Sequence, residues 1–250
     1  MDQNLYNYIL GIADNCLILG QRLGELCGHG PSLETDIACT NISLDLFGQT
    51  RSYYQYAAQV AGDGRKEDDI AMLRKEREYV NVLLVEQPNT DFAYTIMRQY
   101  LFDAFHLLLL NALQHSNDDT LAAIAKKSIK EVSYHERFSS EWVKRLGDGT
   151  SESHIKIQNA LNNLWSYTNE LFEQTDADKA MIKNAIGVDT LKIKETYYKN
   201  IETLLKEATL EIPESKWFQN GGKSGRHTEH FGYLLADLQY MQRTYPKMEW

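Results

Sequence analysis

The chain has 250 residues, of which 43% are hydrophobic and 24% charged, and its formal net charge is −9. This composition excludes a disordered chain, and the acidic balance disfavours nucleic acid as a main partner, because phosphate binding requires a basic surface. No apolar run approaches the roughly 20 residues of a membrane span. The amino-terminal MDQNLYNYIL lacks the features of a signal peptide. We therefore expect a cytoplasmic protein with no membrane partner.

Five predicted helices, separated by short polar breaks, occupy the amino-terminal part of the chain. Glycine and proline mark the first break, GHGP at 28–31, after which Ser32 is placed to cap the next helix. Later breaks are QPN at 87–89 and NDD at 117–119. The helices are predicted at about 4–27, 31–61, 66–86, 90–115 and 120–146.

The sequence also predicts helices in the rest of the chain. Helices are predicted at 151–174 and at about 189–208, with a weaker stretch between them. The longest loop, LEIPESKWFQNGGKSGRH, covers 210–227, and a last helix runs over about 228–245. No segment alternates with period 2 as strands do, so the predicted fold class is all-α.

The helix at 90–115 is apolar nearly all round, which indicates that other helices surround it. Two long helical hairpins, joined by the charge-rich helix at 66–86, predict a ferritin-like four-helix bundle. We therefore expect a single ferritin-like domain, with a core bundle at about 4–146 and additional carboxyl-terminal helices at about 151–245 on its outside.

Ferritin-like di-iron proteins place a Glu on each of two helices and a Glu-x-x-His pair on each of the other two, because residues i and i+3 stand on one helix face. Asp45 lies on the second predicted helix, but Gly48, at the histidine position, supplies no ligand. Asp103 and His106 keep the spacing on the fourth helix with a shorter acid.

The fifth helix departs from the pattern in a different way. Glu131 is followed three residues later by Tyr134, and His135 comes one position after that. A histidine at i+4 still lies on the same broad face as the glutamate. On the first helix, only Asp14 lies among apolar neighbours. The donors are too few for two irons.

We therefore predict a metal-free polar cluster that fixes helix register. Its carboxylates would be buried and would need partners, for which the imidazoles, Tyr134, Lys127 and Arg22 are candidates. The predicted members are Asp45, Asp103, His106, Glu131, Tyr134 and His135.

Two alternatives remain open. The first is an independent ferritin-like metal-binding oxidoreductase with Asp103, His106, Glu131 and His135 as ligands. The second is a homo-oligomeric helical module unrelated to oxygen chemistry.

The segment NGGKSGRHTEH at 220–230 is glycine-rich and basic, and it opens a helix. Backbone N–H groups at a helix amino terminus favour anions. Lys223, Arg226 and His227 could therefore contact a phosphate or the acidic residues of a partner protein. The alternative is a loop that needs glycine conformations and a Thr228 cap.

Several long segments resemble the C subunits of the ring-1,2-phenylacetyl-CoA epoxidases of bacterial phenylacetate degradation. They include DNCLILGQRLGELCGHGPSLETDIACTNISLDLFGQTR, LLVEQPNTDFAYTIMRQYLFDAFH, IKEVSYHERFS, EWVKRLGDGT and GGKSGRHTEHFGYLLADLQYMQRTYP. The resemblance covers about residues 8–250 in matching order and is weakest over about 174–200.

The resemblance implies a ferritin-like, non-catalytic structural subunit. A homologous A subunit would hold the di-iron centre and epoxidise phenylacetyl-CoA with O₂ and electrons from NADPH, while this chain would stabilise it. The implied partners are that A subunit and further subunits of the complex, and self-association stays open. No cofactor, metal ligand or catalytic residue is expected in this chain itself.

Overall fold

The computed structural model describes residues 2–214, 217–246 and 248. Across these residues the regular elements are α-helices and short 3₁₀ helices, so the all-α prediction is confirmed. None of their helices is both long and apolar enough to cross a membrane. The α-helices are α1 (Gln3–Gly24), α2 (Leu33–Ala61), α3 (Glu67–Met72), α4 (Phe92–Leu113), α5 (Asp119–Gly147), α6 (Ser151–Leu164), α7 (Asp176–Lys183), α8 (Thr190–Glu207) and α9 (Glu229–Thr244).

The long helices begin where the sequence places their caps. The side chain of Ser32 accepts the N–H of Thr35 at the start of α2. Asp91 caps α4 by accepting the N–H of Tyr94 at 2.7 Å, and Asp118 caps α5 in the same way. Such caps satisfy N–H groups that lack a partner within the helix.

The chain divides into two compact units. The first unit comprises Met1–Gln87 and Gly221–Trp250, and the second comprises Pro88–Asn220. In the first unit α1 and α2 form an antiparallel hairpin, and α9 packs against α1 and α3. In the second unit α4 and α5 form a hairpin on which α6 and α8 pack. The single-domain boundaries stay a prediction.

The prediction of a helix at 66–86 is wrong over most of that range. Only Glu67–Met72 is α-helical, followed by a single 3₁₀ turn and then by the irregular segment 79–87. Side chains of α1 accept hydrogen bonds from the backbone of this segment. Asp14 accepts the N–H of Val80, and Asn15 accepts that of Val82. Because these buried N–H groups already have acceptors, the segment needs no helical hydrogen bonds.

Arg74 links this irregular segment to the helices of the first unit. Its guanidinium donates to Asp14, to the Tyr54 hydroxyl and to two backbone carbonyl oxygens. Its own carbonyl oxygen accepts bonds from Gln239 and Arg243 of α9. Burial opposes the charge on Arg74, but the neighbouring carboxylate raises its pKa overall.

The carboxyl-terminal predictions are partly corrected. The α-helix predicted at 151–174 ends at Leu164 and continues as the 3₁₀ helix Trp165–Phe172. The weaker stretch contains α7, while α8 and α9 agree with their predicted ranges. The loop at 210–227 contains the 3₁₀ turn Gly222–Ser224, and its residues 215 and 216 lie outside the described residues.

Candidate functional site

Asp103 is a buried carboxyl group of the second unit. It lies on α4 with no exposed surface, and both of its oxygens are hydrogen-bonded. Gln99, one turn earlier on α4, donates to Oδ1 at 2.7 Å, and Ser139 of α5 contacts Oδ2 at 2.9 Å. Burial raises the pKa of Asp103 well above its ordinary value, although these two bonds partly oppose that shift.

The surroundings of Ser139 favour a neutral Asp103. Ser139 Oγ lies 2.9 Å from Asp103 Oδ2 and 3.0 Å from the carbonyl oxygen of His135. Its single proton can serve only one of these acceptors at a time. A protonated Asp103 satisfies all three groups, because its O–H donates to Ser139 while Ser139 donates to His135.

The two histidines of the predicted cluster are also buried in the second unit. His106 is 1% exposed and its ring packs against Phe102, with centroids 5.2 Å apart. Burial, followed by the charge of His135, lowers the pKa of His106 to about 3. His106 is therefore neutral at physiological pH. His135 lies on the buried face of α5 with Val132 and Ser139.

Two α5 members of the predicted cluster are not buried. Tyr134 is 40% exposed, so the prediction that it lies in a buried cluster is wrong. The inward face of α5 takes Val132, His135 and Ser139, and a residue one position before His135 is rotated by 100°. Glu131, at the edge of that face, is half-buried.

Asp45 of the first unit is half-buried as well, beside the buried positions Ile42 and Leu46 of α2. The suggested cationic partners of the cluster are Arg22 and Lys127. Arg22 donates to the backbone carbonyl of Glu86 and pairs with Glu25. Lys127 is exposed on α5.

These side chains do not fit a pair of iron ions. Gly48 is exposed and offers no donor, and Tyr134 points to solvent. Asp103, the fully buried acid of the predicted cluster, is held on both oxygens by Gln99 and Ser139. Among the described residues, no three His, Cys, Asp or Glu side chains are grouped so that they could hold a metal ion.

A second buried polar group lies in the first unit and involves His227. Glu86 has no exposed surface and accepts bonds from Asn81, from His227 Nδ1 at 2.9 Å and from the Thr228 N–H at 2.6 Å. His227 Nε2 lies 3.0 Å from the Tyr79 carbonyl oxygen. Both ring nitrogens thus lie within hydrogen-bond distance of an oxygen acceptor, so the ring links Glu86 to the Tyr79 backbone.

The prediction that His227 contacts an external anion or partner is therefore wrong. Its side chain is fully buried, and its ring stacks on Phe231 with centroids 4.0 Å apart. Thr228 occupies the cap position of α9, but its hydroxyl makes no capping bond. Arg226 is exposed and Lys223 is half-buried, so a partner contact at these two residues stays a prediction.

The glycines of this segment permit close backbone packing. A Cβ on Gly222 would lie 2.2 Å from the Asn81 carbonyl oxygen, and one on Gly225 would lie 2.3 Å from that of Arg77. Gly225 also has a positive φ of 73°. The segment thus packs directly against residues 77–83, which explains its glycine content without a phosphate ligand.

Sequence reasoning missed Gln99 and Ser139 as partners of Asp103. Gln99 stands four residues before Asp103, and Ser139 four residues after His135, so helical spacing could have indicated both. It also missed the contacts of Asp14 with Arg74 and of Glu86 with His227. Those pairs join residues 60 and 141 positions apart, and no local pattern reports them.

Comparison with known proteins agrees with the resemblance inferred from the sequence. A family model described as "Phenylacetic acid catabolic protein" matches residues 1–250. A curated relative from Escherichia coli (strain K12), the C subunit of 1,2-phenylacetyl-CoA epoxidase, is 49% identical over 243 residues. The aligned region covers 97% of this chain and 98% of the relative.

Proposed function

The chain belongs to the phenylacetic acid catabolic protein family, and on that premise we propose that it is the structural, non-catalytic C subunit of a 1,2-phenylacetyl-CoA epoxidase. Its role is to stabilise the catalytic A subunit in the cytoplasm. The identity of 49% to a protein named as the C subunit of such an enzyme, over nearly the full length of both chains, supports this assignment.

The proposed fold is ferritin-like, with two long helical hairpins, α1–α2 and α4–α5. The supporting features are the length of these helices and the order of the hairpins along the chain. The connection between them is not the expected crossover helix but α3 followed by the buried segment 79–87.

The state of Asp103 carries the proposal of a non-catalytic role. A carboxyl group that binds iron must be ionised and must direct at least one oxygen to the metal. Both oxygens of Asp103 are engaged by Gln99 and Ser139, and burial raises its pKa. Its hydrogen bonds connect α4 to α5, so its contribution is to the packing of this hairpin.

In this proposal the A subunit carries out the epoxidation. The A subunit holds the di-iron centre, which activates O₂ for epoxidation with electrons that derive from NADPH. This chain supplies no ligand, acid or base to that reaction. The exposed Arg226 and the half-buried Lys223 are candidates for contacts with another subunit of the complex.

Co-expression with the A subunit tests the proposal. We compare the wild type with Asp103→Asn and His135→Ala, and use Asp237→Asn, at an exposed site on α9, as the matched control. Iron per complex and turnover of phenylacetyl-CoA per assembled complex are measured. We expect both to stay unchanged in every variant, while His135→Ala lowers the yield or thermal stability of the complex.

Two results would contradict the proposal. One is a variant complex of normal composition that has lost turnover. The other is stoichiometric iron or manganese in the purified chain that disappears in Asp103→Asn and His135→Ala. The second result would favour the independent metal-binding oxidoreductase.

A further inference from the structure

Helix α5 presents to solvent a face that combines cations with aromatic rings. This face lies opposite the buried positions Val132, His135 and Ser139. It extends for about 28 Å along the helix at 1.5 Å per residue. We call it the basic aromatic face, and its exposed or half-buried members are Lys126, Lys127, Lys130, Tyr134, Arg137, Phe138, Trp142 and Arg145.

The aromatic members form a row along the helix. Tyr134, Phe138 and Trp142 follow one another at intervals of four residues, which makes them neighbours on the helix surface. The rings of Tyr134 and Phe138 have centroids 6.2 Å apart, and Phe92 packs edge-on against Trp142 at 5.1 Å. Tyr134 is 40% exposed, and the other two members of the row are half-buried. Neighbouring rings therefore hold this row in place while part of it stays open to solvent.

The two arginines of the face lie on these rings. The Cζ of Arg137 is 5.8 Å from the ring centroid of Tyr134, and that of Arg145 is 5.3 Å from the ring centroid of Trp142. A guanidinium that stacks on an aromatic ring keeps N–H donors in its plane that suit a carboxylate. Each arginine–aromatic pair therefore offers a site for a carboxylate beside an apolar surface.

The cations of the basic aromatic face are not neutralised within the described part of the chain. None of its Lys or Arg side chains forms an ion pair with a described carboxylate. Lys144, on the flank of the same helix, differs because it pairs with Glu141 at 3.5 Å and with Glu207 at 2.9 Å. Glu131 is half-buried at the edge of the inward face. The basic aromatic face is therefore locally cationic in a chain whose net charge is −9.

We propose that the basic aromatic face binds an acidic segment of another protein, one that carries apolar side chains among its carboxylates. The carboxylates meet the unpaired cations, and the apolar side chains cover the aromatic row. Arginine and large aromatic residues contribute most of the binding energy at many protein interfaces. Charge complementarity then selects an acidic partner. The negative net charge of the chain disfavours nucleic acid as the polyanion.

The inference goes beyond the proposed function and does not rest on it, since it concerns one face of one helix. The experiment uses this chain alone with a synthetic probe. A failure of the proposed epoxidase role would therefore leave its result unchanged.

The probe is a fluorescently labelled peptide built of Glu-Glu-Leu-Ala repeats, and its binding to the purified full chain is followed by fluorescence anisotropy. A peptide of Gln-Gln-Leu-Ala repeats is the neutral control. We expect saturable binding of the acidic peptide and binding of the neutral one that is weaker by at least about tenfold. The affinity for the acidic peptide should fall as salt is added, because salt screens exposed charges.

Charge variants test whether binding occurs on α5. We expect Lys127→Glu/Lys130→Glu to weaken binding of the acidic peptide on the order of tenfold. Lys192→Glu/Lys199→Glu is the matched control, because it changes the net charge equally at two exposed positions of α8. This control should bind nearly as tightly as the wild type, and circular dichroism checks that each variant folds.

An aromatic variant tests the contribution of the rings without a change of charge. Tyr134→Ala should weaken binding of the acidic peptide several-fold, on the order of the effect of losing one interface aromatic. Tyr233→Ala is its control, since Tyr233 is 78% exposed on α9, and it should bind as the wild type does. Equal affinities of all three proteins would overturn the role of the aromatic row.

Three further outcomes would overturn the proposal. In the first, the acidic and neutral peptides bind alike or not at all. In the second, the charge variants of α5 and α8 lose the same affinity. In the third, a single-stranded DNA of thymidines binds more tightly than the acidic peptide and displaces it, which would assign the face to a nucleic acid.

Discussion

The guanidinium of Arg74 binds both carboxylate oxygens of Asp14, with Nη1 3.0 Å from Oδ2 and Nη2 2.5 Å from Oδ1. Arg74 is 5% exposed and Asp14 is fully buried. The Tyr54 hydroxyl and the Val80 N–H also donate to the carboxylate. The pair therefore joins α1, α2 and the irregular segment that follows α3.

Arg74→Met should destabilise the protein by about 3–5 kcal/mol, because it leaves the Asp14 carboxylate buried without a cation. Urea denaturation followed by circular dichroism measures this loss. Arg65→Met is the control, since Arg65 pairs with Asp63 at the surface, and its cost should stay below about 1 kcal/mol. Equal losses in the free energy of unfolding for the two substitutions would show that the buried ion pair contributes no more to stability than the surface pair.

His227→Ala should loosen the attachment of α9. The substitution removes the side chain that spans Glu86 and the Tyr79 carbonyl oxygen, and we expect a loss of about 1–3 kcal/mol. Hydrogen–deuterium exchange of the α9 amides should become faster while that of α4 stays unchanged. His29→Ala, at an exposed site, is the control. Unchanged exchange in α9 would contradict the anchoring role.

The stability of the protein should depend on the titration of Asp103. The carboxyl ionises at about pH 3.9 in an unfolded chain, while burial raises its pKa well above this value in the folded protein. At a pH between the pKa of Asp103 in the unfolded chain and its pKa in the folded chain, the folded state carries a proton on Asp103 that the unfolded state lacks. The stability contributed by this group therefore falls as pH rises through the window, by up to about 1.4 kcal/mol per pH unit.

Asp103→Asn removes this titration and keeps the shape of the neutral acid. Relative to the variant, and measured between pH 4 and pH 7, the wild type should lose stability as the pH rises above the unfolded-state pKa. Urea denaturation of both proteins across this range measures the difference. A difference that is independent of pH would mean that the folded protein holds Asp103 ionised.

Gly222→Ala should be strongly destabilising, because its Cβ would lie 2.2 Å from the backbone oxygen of Asn81. Overpacking of this kind costs about 1–3 kcal/mol. Gly11→Ala is the matched control: no atom lies within 4 Å of its Cβ position in α1. That substitution should stabilise the helix by up to about 1 kcal/mol. Thermal unfolding of both variants measures the contrast.

The helices that could be predicted from sequence are those whose signals are local. Asp91 and Asp118 cap α4 and α5 through residues three positions away, and both caps stand in the sequence beside an apolar repeat. The segment 79–87 could not be predicted in this way. Its N–H groups bond to Asp14 and Asn15, which are more than sixty residues away.

The candidate site shows the same difference between local and long-range signals. Asp103 and His106, whose spacing predicts a shared helix face, are both buried, but so is nearly every neighbouring position of α4. The di-iron template predicts a buried Tyr134, whereas the structure turns Val132, His135 and Ser139 inward and leaves position 134 outside. Two of these three buried residues are polar, so no apolar repeat in the sequence marks this face.

The division of the chain has a consequence for its synthesis. The first unit is completed only by residues 221–250, whereas the second unit is one uninterrupted stretch, Pro88–Asn220. On the ribosome, residues 1–87 must wait for the whole intervening stretch before α9 can cover Tyr79 and Arg74. The second unit can therefore finish folding first, and a nascent chain stalled before α9 would expose apolar surface to chaperones and proteases.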